Sequence, residues 1–368
     1  MPDVILTDTA TYVSLATDGN SAFIGDDATL YYGFLVPTVY GQSSRSLTVQ
    51  VEGTVLSQEV NAIVLEADDV GSVGDHNVTI GAEGATFANR DYVSVVVGGT
   101  GNVVQNLGTV SGGGGIWGTD CGGGRIENDG LVVASRFAAV KLLDGTGPNV
   151  ILNHGTITGT GTGTDGLVLE NATATVINLD GGEIRSNSAA AAAVDASAAG
   201  TAGMTLRNAG EIAGVGTAVA GSAGVDRVLN SGSIWGDVLL GGGNDVFSGR
   251  RGSLDGILRG GDGNDTLFAG IGDDTLDGDA GADRLDGGVG GRAQCVGAGR
   301  GVGAGRGVGA GRGVGAGRGV GAGRGVAGTR TAACPRASLR PSRDPGAARA
   351  RVDRGRPSSH AGPARRLA

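Results

Sequence analysis

Six times between residues 106 and 234 the chain returns to one pattern: asparagine, then glycine, then isoleucine or valine. It reads NLGTV from Asn106, NDGLV from Asn128, NHGTI from Asn153, NAGEI from Asn208 and NSGSI from Asn230, while NLDGGEI from Asn178 carries two extra residues. The steps between these asparagines are 22, 25, 25, 30 and 22 residues. A period of this length marks a stacked repeat, in which each unit buries its apolar face only against its neighbours. Three short apolar runs fill one unit, as in GTI, DGLVLE and ATVINL between 155 and 179. Each is too short for a helix and is bounded by Gly, Asn, Asp or Thr. Three strands per unit predict an all-β chain folded as a right-handed parallel β-helix. Asparagine tolerates left-handed turns and its amide can bond the next coil's asparagine, so a ladder is expected. An antiparallel sandwich of the same strands is the alternative, but hairpins need no asparagine and glycine at one recurring offset.

Composition fits a solenoid. With 76 glycines and only 6 Phe, 2 Trp and 5 Tyr in 368 residues, the chain lacks the large rings that a globular core of this size normally buries. Stacked Val, Ile, Leu and Ala can fill a narrow interior instead. SLTVQVEGTVL (46–56) and NAIVLEA (61–67) read as strands of the first coils and their cap. The low-complexity SNSAAAAAVDASAAGTAG (186–203) reads as a loop bulging from one coil.

From residue 260 the period shortens to nine: GGDGNDTLF (260–268), AGIGDDTLD (269–277) and GDAGADRLD (278–286). Glycine is always fourth, aspartate sixth and leucine eighth, the pattern G-G-x-G-x-D-x-U-x with U a large apolar residue. The glycines allow turns closed to other residues and aim carbonyl oxygens inward, while the aspartate adds carboxylate oxygens. A calcium ion takes roughly 6–8 such hard oxygens, more than one short turn supplies. Eighteen residues then make one coil, and each turn stacks on the turn two repeats later. No Asp-initiated 12-residue loop has the glycine and glutamate of an EF-hand.

These nonapeptides resemble the RTX (hemolysin-type) calcium-binding repeats of secreted bacterial proteins. A fourth copy, LGGGNDVFS (240–248), lies upstream, separated by GRRGSLDGILR (249–259), which keeps no nine-residue register and reads as a spacer. The repeats predict a β-helix over 1–239 with an N-terminal cap, the resemblance implies an RTX parallel β-roll over 240–291, and the tail over 292–368, which lacks apolar periodicity for a core, is expected to be disordered. Calcium is the implied cofactor. Its expected ligands are Asp245, Asp265, Asp274 and Asp283, with Gly260, Gly261, Gly263, Gly270, Gly272, Gly278 and Gly281 forming the turns. Asp265 and Asp283 should form the complete pair. Asp274 meets the spacer on one side and Arg292 on the other, and Asp245 stands 20 residues before Asp265, two more than one coil.

The expected role is a secreted, calcium-stabilised scaffold or adhesin-like surface or matrix protein, with a cell-surface or matrix polysaccharide as possible partner class. The alternative is an extracellular polysaccharide-modifying enzyme, a lyase, hydrolase or epimerase, because alginate epimerases join a β-helix to RTX repeats. YYGFLVP (31–37) is similar to the YGFDPH of those epimerases, but Leu35 stands where their aspartate belongs and no histidine follows. Candidate bases His76, Arg136, Lys141, His154 and Arg185 share no spacing, so no catalytic residue is assigned. His154 reads as a solvated turn residue and Lys141 as an outward strand residue. MPDVILTDTA lacks the basic and apolar regions of a Sec signal, and no run reaches the length of a membrane span. Export by a one-step type I route is what the resemblance implies.

Charge divides sharply at residue 292. The last 77 residues hold 16 Arg and 2 Asp, which leaves 12 basic and 35 acidic residues in 1–291, a net of −23 against +14. The acidic body should not bind nucleic acid. Past the break VGAGRG repeats five times from 296 to 325, and no aromatic residue or isoleucine follows 291. A Gly/Arg arm can bind anions or RNA, but this one has no rings on which bases could stack. A frameshift near codon 291 of a GC-rich gene would also give Arg, Ala, Gly and Pro, although shifted nonapeptides should repeat every nine residues rather than six. We expect that translating the other two frames beyond codon 291 restores glycine–aspartate nonapeptides; if neither frame does, the tail is authentic.

Overall fold

Strands such as Asn149–Asn153 and Ala174–Asn178 alternate buried and part-exposed residues, as expected where one face meets a core and the other meets solvent. The computed structural model describes residues 4–6, 13–15, 21–32, 36–42, 46–66, 74–145, 147–272, 274–287 and 294–297. Its architecture is a parallel β-solenoid. Among the described residues thirteen strands, from Val4–Leu6 to Arg284–Asp286, form the first face, each parallel to the next. In the middle coils two further faces follow. After Asn149–Asn153, for example, come Thr156–Gly159 and Leu167–Glu170. The next coil repeats the sequence of faces with Ala174–Asn178, Glu183–Ser186 and Ala192–Asp195, placing Ile151 on Val176, Ile157 on Ile184 and Leu167 on Val194. This parallel stacking excludes the antiparallel sandwich.

The interior is a column of aliphatic side chains. Ile151, Ile157, Leu167, Val176, Ile184 and Val194 are fully buried, each worth about 1.5–3 kcal/mol relative to exposure. The alanine-rich 186–203 segment does not bulge outward. It supplies the strand Ala192–Asp195 and buries Ala193, Val194, Ala196 and Ala199. GRRGSLDGILR is likewise no spacer. It forms a corner and the strands Ser253–Asp255 and Ile257–Arg259, which stack on Ser233–Leu239. Beyond it the coil loses one face, since only Thr266–Phe268 and Thr275–Asp279 follow. Stacking passes the expected boundary at 291, because Gln294–Gly297 pairs with Thr275–Asp279; the rest of the 292–368 tail lies outside the described residues.

At the corner after the first face the recurring asparagines stack. Nδ2 of Asn106 donates to Oδ1 of Asn128, and the chain of bonds continues through Asn153, Asn178 and Asn208 to Asn230 at 2.7–2.8 Å. All six are buried. The glycine of each motif is required by close approach: a Cβ on Gly130 would collide with the Gly108 carbonyl, and one on Gly155 with the Gly130 carbonyl. A buried amide left without its partner costs about 1–3 kcal/mol. Asn153→Ala interrupts two rungs, and we expect urea unfolding in calcium to show a loss of at least that size, against less than about 0.5 kcal/mol for the exposed Leu107→Ala.

Candidate metal centre

The corner before the first face carries a second polar column. Here a side chain of one coil accepts the backbone N–H of the preceding coil, as Asn102 does from His76 at 2.9 Å and Asn149 does from Gly124 at 3.0 Å. Further along, aspartate takes this place. Met204 N–H donates to Asp226 Oδ1 at 2.5 Å, Asp226 to Asp245 at 2.8 Å, Asp245 to Asp265 at 2.8 Å and Asp265 to Asp283 at 3.0 Å. Asp245 therefore lies directly beneath Asp265. The 20-residue interval, two residues more than the expected coil, is one coil with a longer path through 249–259, while Asp265 to Asp283 is a coil of 18. Strand register sets the stacking, and the corners absorb the two extra residues.

Gly261, Gly263, Gly272 and Gly281 have φ of 99°, 135°, 143° and 146°, where a side chain is strained. A Cβ on Gly263 or Gly281 would also strike the carbonyl of Gly243 or Gly263 in the preceding coil. A Cβ on Gly260 or Gly278 would strike Oδ2 of Asp265 or Asp283. Asp279 fills a second-place position at φ 55°, which aspartate tolerates. The turn bearing Asp274 belongs to the other corner, where Gly270 lies against the carbonyls of Gly249 and Gly252 and Ile271 N–H reaches Gly252 O at 3.4 Å. Asp274 is buried but faces a turn without an aspartate; its other expected neighbour, Arg292, lies outside the described residues.

Asp245, Asp265 and Asp283 are each at most 3% exposed, and Oδ2 of each is buried without a hydrogen-bond partner. Leaving a carboxylate oxygen so placed is costly. Burial pushes the Asp245 carboxyl up to about 7, with the Asp226 and Asp265 carboxylates adding to the rise. Asp265 is raised by burial and then by Asp283 and Asp279. Asp279 is also raised, by burial first and then by Asp277, against which Arg259 acts. Such carboxylates fit a cation. Among the described residues no three His, Cys, Asp or Glu side chains form a ready metal cluster. Main-chain carbonyls of the glycine turns would have to complete the roughly 6–8 oxygens of a calcium ion, which suits a hard cation and not a thiolate- or imidazole-seeking one.

The candidate bases do not converge. His76 is buried in the interior and accepts Leu47 N–H, Arg136 pairs with Asp91, and Lys141 meets Glu170 at 2.6 Å under the Trp117 ring. His154 is exposed beside Asp129, and Arg185 pairs with Glu183 and Glu211. Leu35 lies outside the described residues. A polysaccharide partner finds no support in the described residues. Sequence reasoning passed over Asp226, although GSAGVDRVL (221–229) has glycine first and fourth, aspartate sixth and valine eighth.

A family model of RTX calcium-binding nonapeptide repeats, in four copies, matches residues 259–291. The 240–248 copy and the Asp226 turn fall outside that match. No curated protein and no solved structure matches the chain. A raised carboxyl pKa stabilises the fold below its unfolded value and loses that contribution as pH rises through the folded value. For Asp245 the window runs from about 4 to about 7. The chelated protein should therefore melt higher at pH 5 than at pH 8, whereas saturating calcium should remove or reverse the difference; a chelated protein equally stable at both would contradict the buried, unpaired carboxylates.

Proposed function

Starting from an RTX repeat protein whose calcium-binding nonapeptides are carried on a β-solenoid, we propose that calcium completes the fold from residue 240 onward. Asp245, Asp265 and Asp283 would hold it, with the turns at Gly260, Gly261, Gly263, Gly278 and Gly281 bringing carbonyls to the same corner. Gly270, Gly272 and Asp274 form a half-site at the opposite corner. The carrying observation is the three buried Oδ2 atoms without partners, stacked coil on coil. Calcium supplies the positive charge that lets adjacent carboxylates stay ionised out of water. Without it the clustered charge opposes ordering, so the metal acts as a folding ligand.

On this reading the chain has two functional parts, a metal-independent stack over 1–239 and a metal-dependent roll over 240–291. RTX repeat proteins are typically secreted, and among the described residues no helix is long and apolar enough to cross a membrane. The proposed role is an extracellular scaffold or adhesin-like module, exported by a type I route and ordered by the higher calcium outside the cell. What supports scaffolding is that Lys141, His154, Arg136 and Arg185 are each engaged by a surface carboxylate rather than gathered in a cleft.

Asp265 is bonded along the column to both Asp245 and Asp283. In calorimetric titration with calcium, Asp265→Ala should weaken binding at least about tenfold, the equivalent of 1.4 kcal/mol. Asp274→Ala should cost less. The reverse order would remove the assignment of this corner, and absence of calcium uptake by the unaltered protein would remove the calcium reading itself.

A further inference from the structure

Residues 221–229, GSAGVDRVL, depart from the double-glycine nonapeptide at one turn position, Ser222 in second place. The turn sits in register with those that follow. Gly242 N–H donates to Ser222 O at 2.9 Å, just as Asp262 N–H does to Gly241 O at 2.8 Å and Ala280 N–H to Gly261 O at 2.9 Å. The Gly224 carbonyl lies against Gly243 as the Gly243 carbonyl lies against Gly263. A Cβ on Gly221 would strike Asp226 Oδ2, the relation already seen for Gly260 with Asp265 and Gly278 with Asp283.

The carboxylate differs in how it is satisfied. Asp226 is fully buried, yet its Oδ2 accepts the Ser222 N–H at 2.6 Å, and the Ser222 hydroxyl lies 3.2 Å from both carboxylate oxygens. With Met204 N–H on Oδ1, both oxygens have donors. The same hydroxyl accepts Gly224 N–H at 3.0 Å, whereas Gly243 and Gly263 send theirs to carbonyls of the next coil, Asp262 and Ala280. In the three turns that follow, Oδ2 has no such donor.

We propose that Ser222 closes the Asp226 turn in place of a metal ion, making it a calcium-independent first rung on which the calcium-dependent turns stack, and that 221–226 is a latent calcium site held shut by this serine. This inference rests on the calcium reading above. Charge-assisted hydrogen bonds from an N–H and a hydroxyl offset the desolvation that a cation offsets elsewhere in the column. Because the bonds come from the same turn, the rung needs no ligand. It then presents Asp226 N–H to Asp245 Oδ1 at 2.8 Å and so fixes the start of the next turn before calcium arrives.

Ser222→Gly converts the segment to a complete double-glycine nonapeptide. In the full chain, calorimetric titration should show one more calcium ion bound per molecule than in the unaltered protein. In chelator the variant should melt lower, by about 2–8 °C. Ser222→Ala removes the hydroxyl but keeps a Cβ, so it should lower the melting point in chelator without adding an ion. Calcium uptake by the unaltered protein with no increment in Ser222→Gly overturns the latent site, and an unchanged melting point in chelator for Ser222→Ala overturns the metal-free rung. No uptake by the unaltered protein would instead sink the calcium reading, an outcome the two variants cannot mimic. If Ser222→Gly does not fold in chelator, its folding on calcium addition supports the inference, and failure to fold with calcium overturns it.

Discussion

At the corner where the chain enters the first face, six coils close a backbone N–H with a side chain of the next coil rather than with a strand carbonyl. His76, Gly124, Met204, Asp226, Asp245 and Asp265 all donate in this way. A buried N–H must be satisfied, so each of these coils depends on the polar residue its successor brings, whereas Asn149 N–H goes to the Thr173 carbonyl. In these coils the requirement constrains the identity of one residue of the successor. It also couples neighbours in the one-dimensional manner of repeat proteins, where stability passes from unit to unit.

What the corner residue is decides whether the coil needs a ligand. Asparagine at 102 and 149 accepts the N–H with its carbonyl and places its amide hydrogens on carbonyls such as those of Gly98 and Thr173, so no charge is buried. Aspartate accepts equally well but leaves a second oxygen without donors and a negative charge in a column of negative charges. On the proposed calcium reading, the switch from asparagine to aspartate converts a self-sufficient corner into one that a cation completes. Asp226 is the intermediate case, aspartate by identity but satisfied by its own turn. The same corner, with the same hydrogen-bond direction, runs through all three regimes.

Much of this was legible in the sequence, because stacking imposes fixed offsets. The Asn-x-Gly motif announced both the asparagine column and the close approach of the glycines, and the nonapeptides announced the buried leucines Leu267, Leu276 and Leu285. Two segments fold otherwise than period or composition suggests. GRRGSLDGILR lost the nine-residue register while keeping its strands, since stacking counts strand pairs and tolerates corners of different length. The alanine run at 186–203 has the composition of a loop, yet it supplies a strand and buried side chains, Val194 among them. Asp226 was passed over because Ser222 broke the double glycine, although it is that serine which makes the turn independent of metal.

The central claim is that self-sufficiency ends between Asp226 and Asp245. Hydrogen exchange of the full chain, followed peptide by peptide with calcium and with chelator, locates that boundary directly. Protection of 204–230 should be similar in both conditions, while 246–286 should be protected only with calcium, as expected where local stability differs along one stack. Uniform protection of both segments in chelator, or loss of both together, would contradict it.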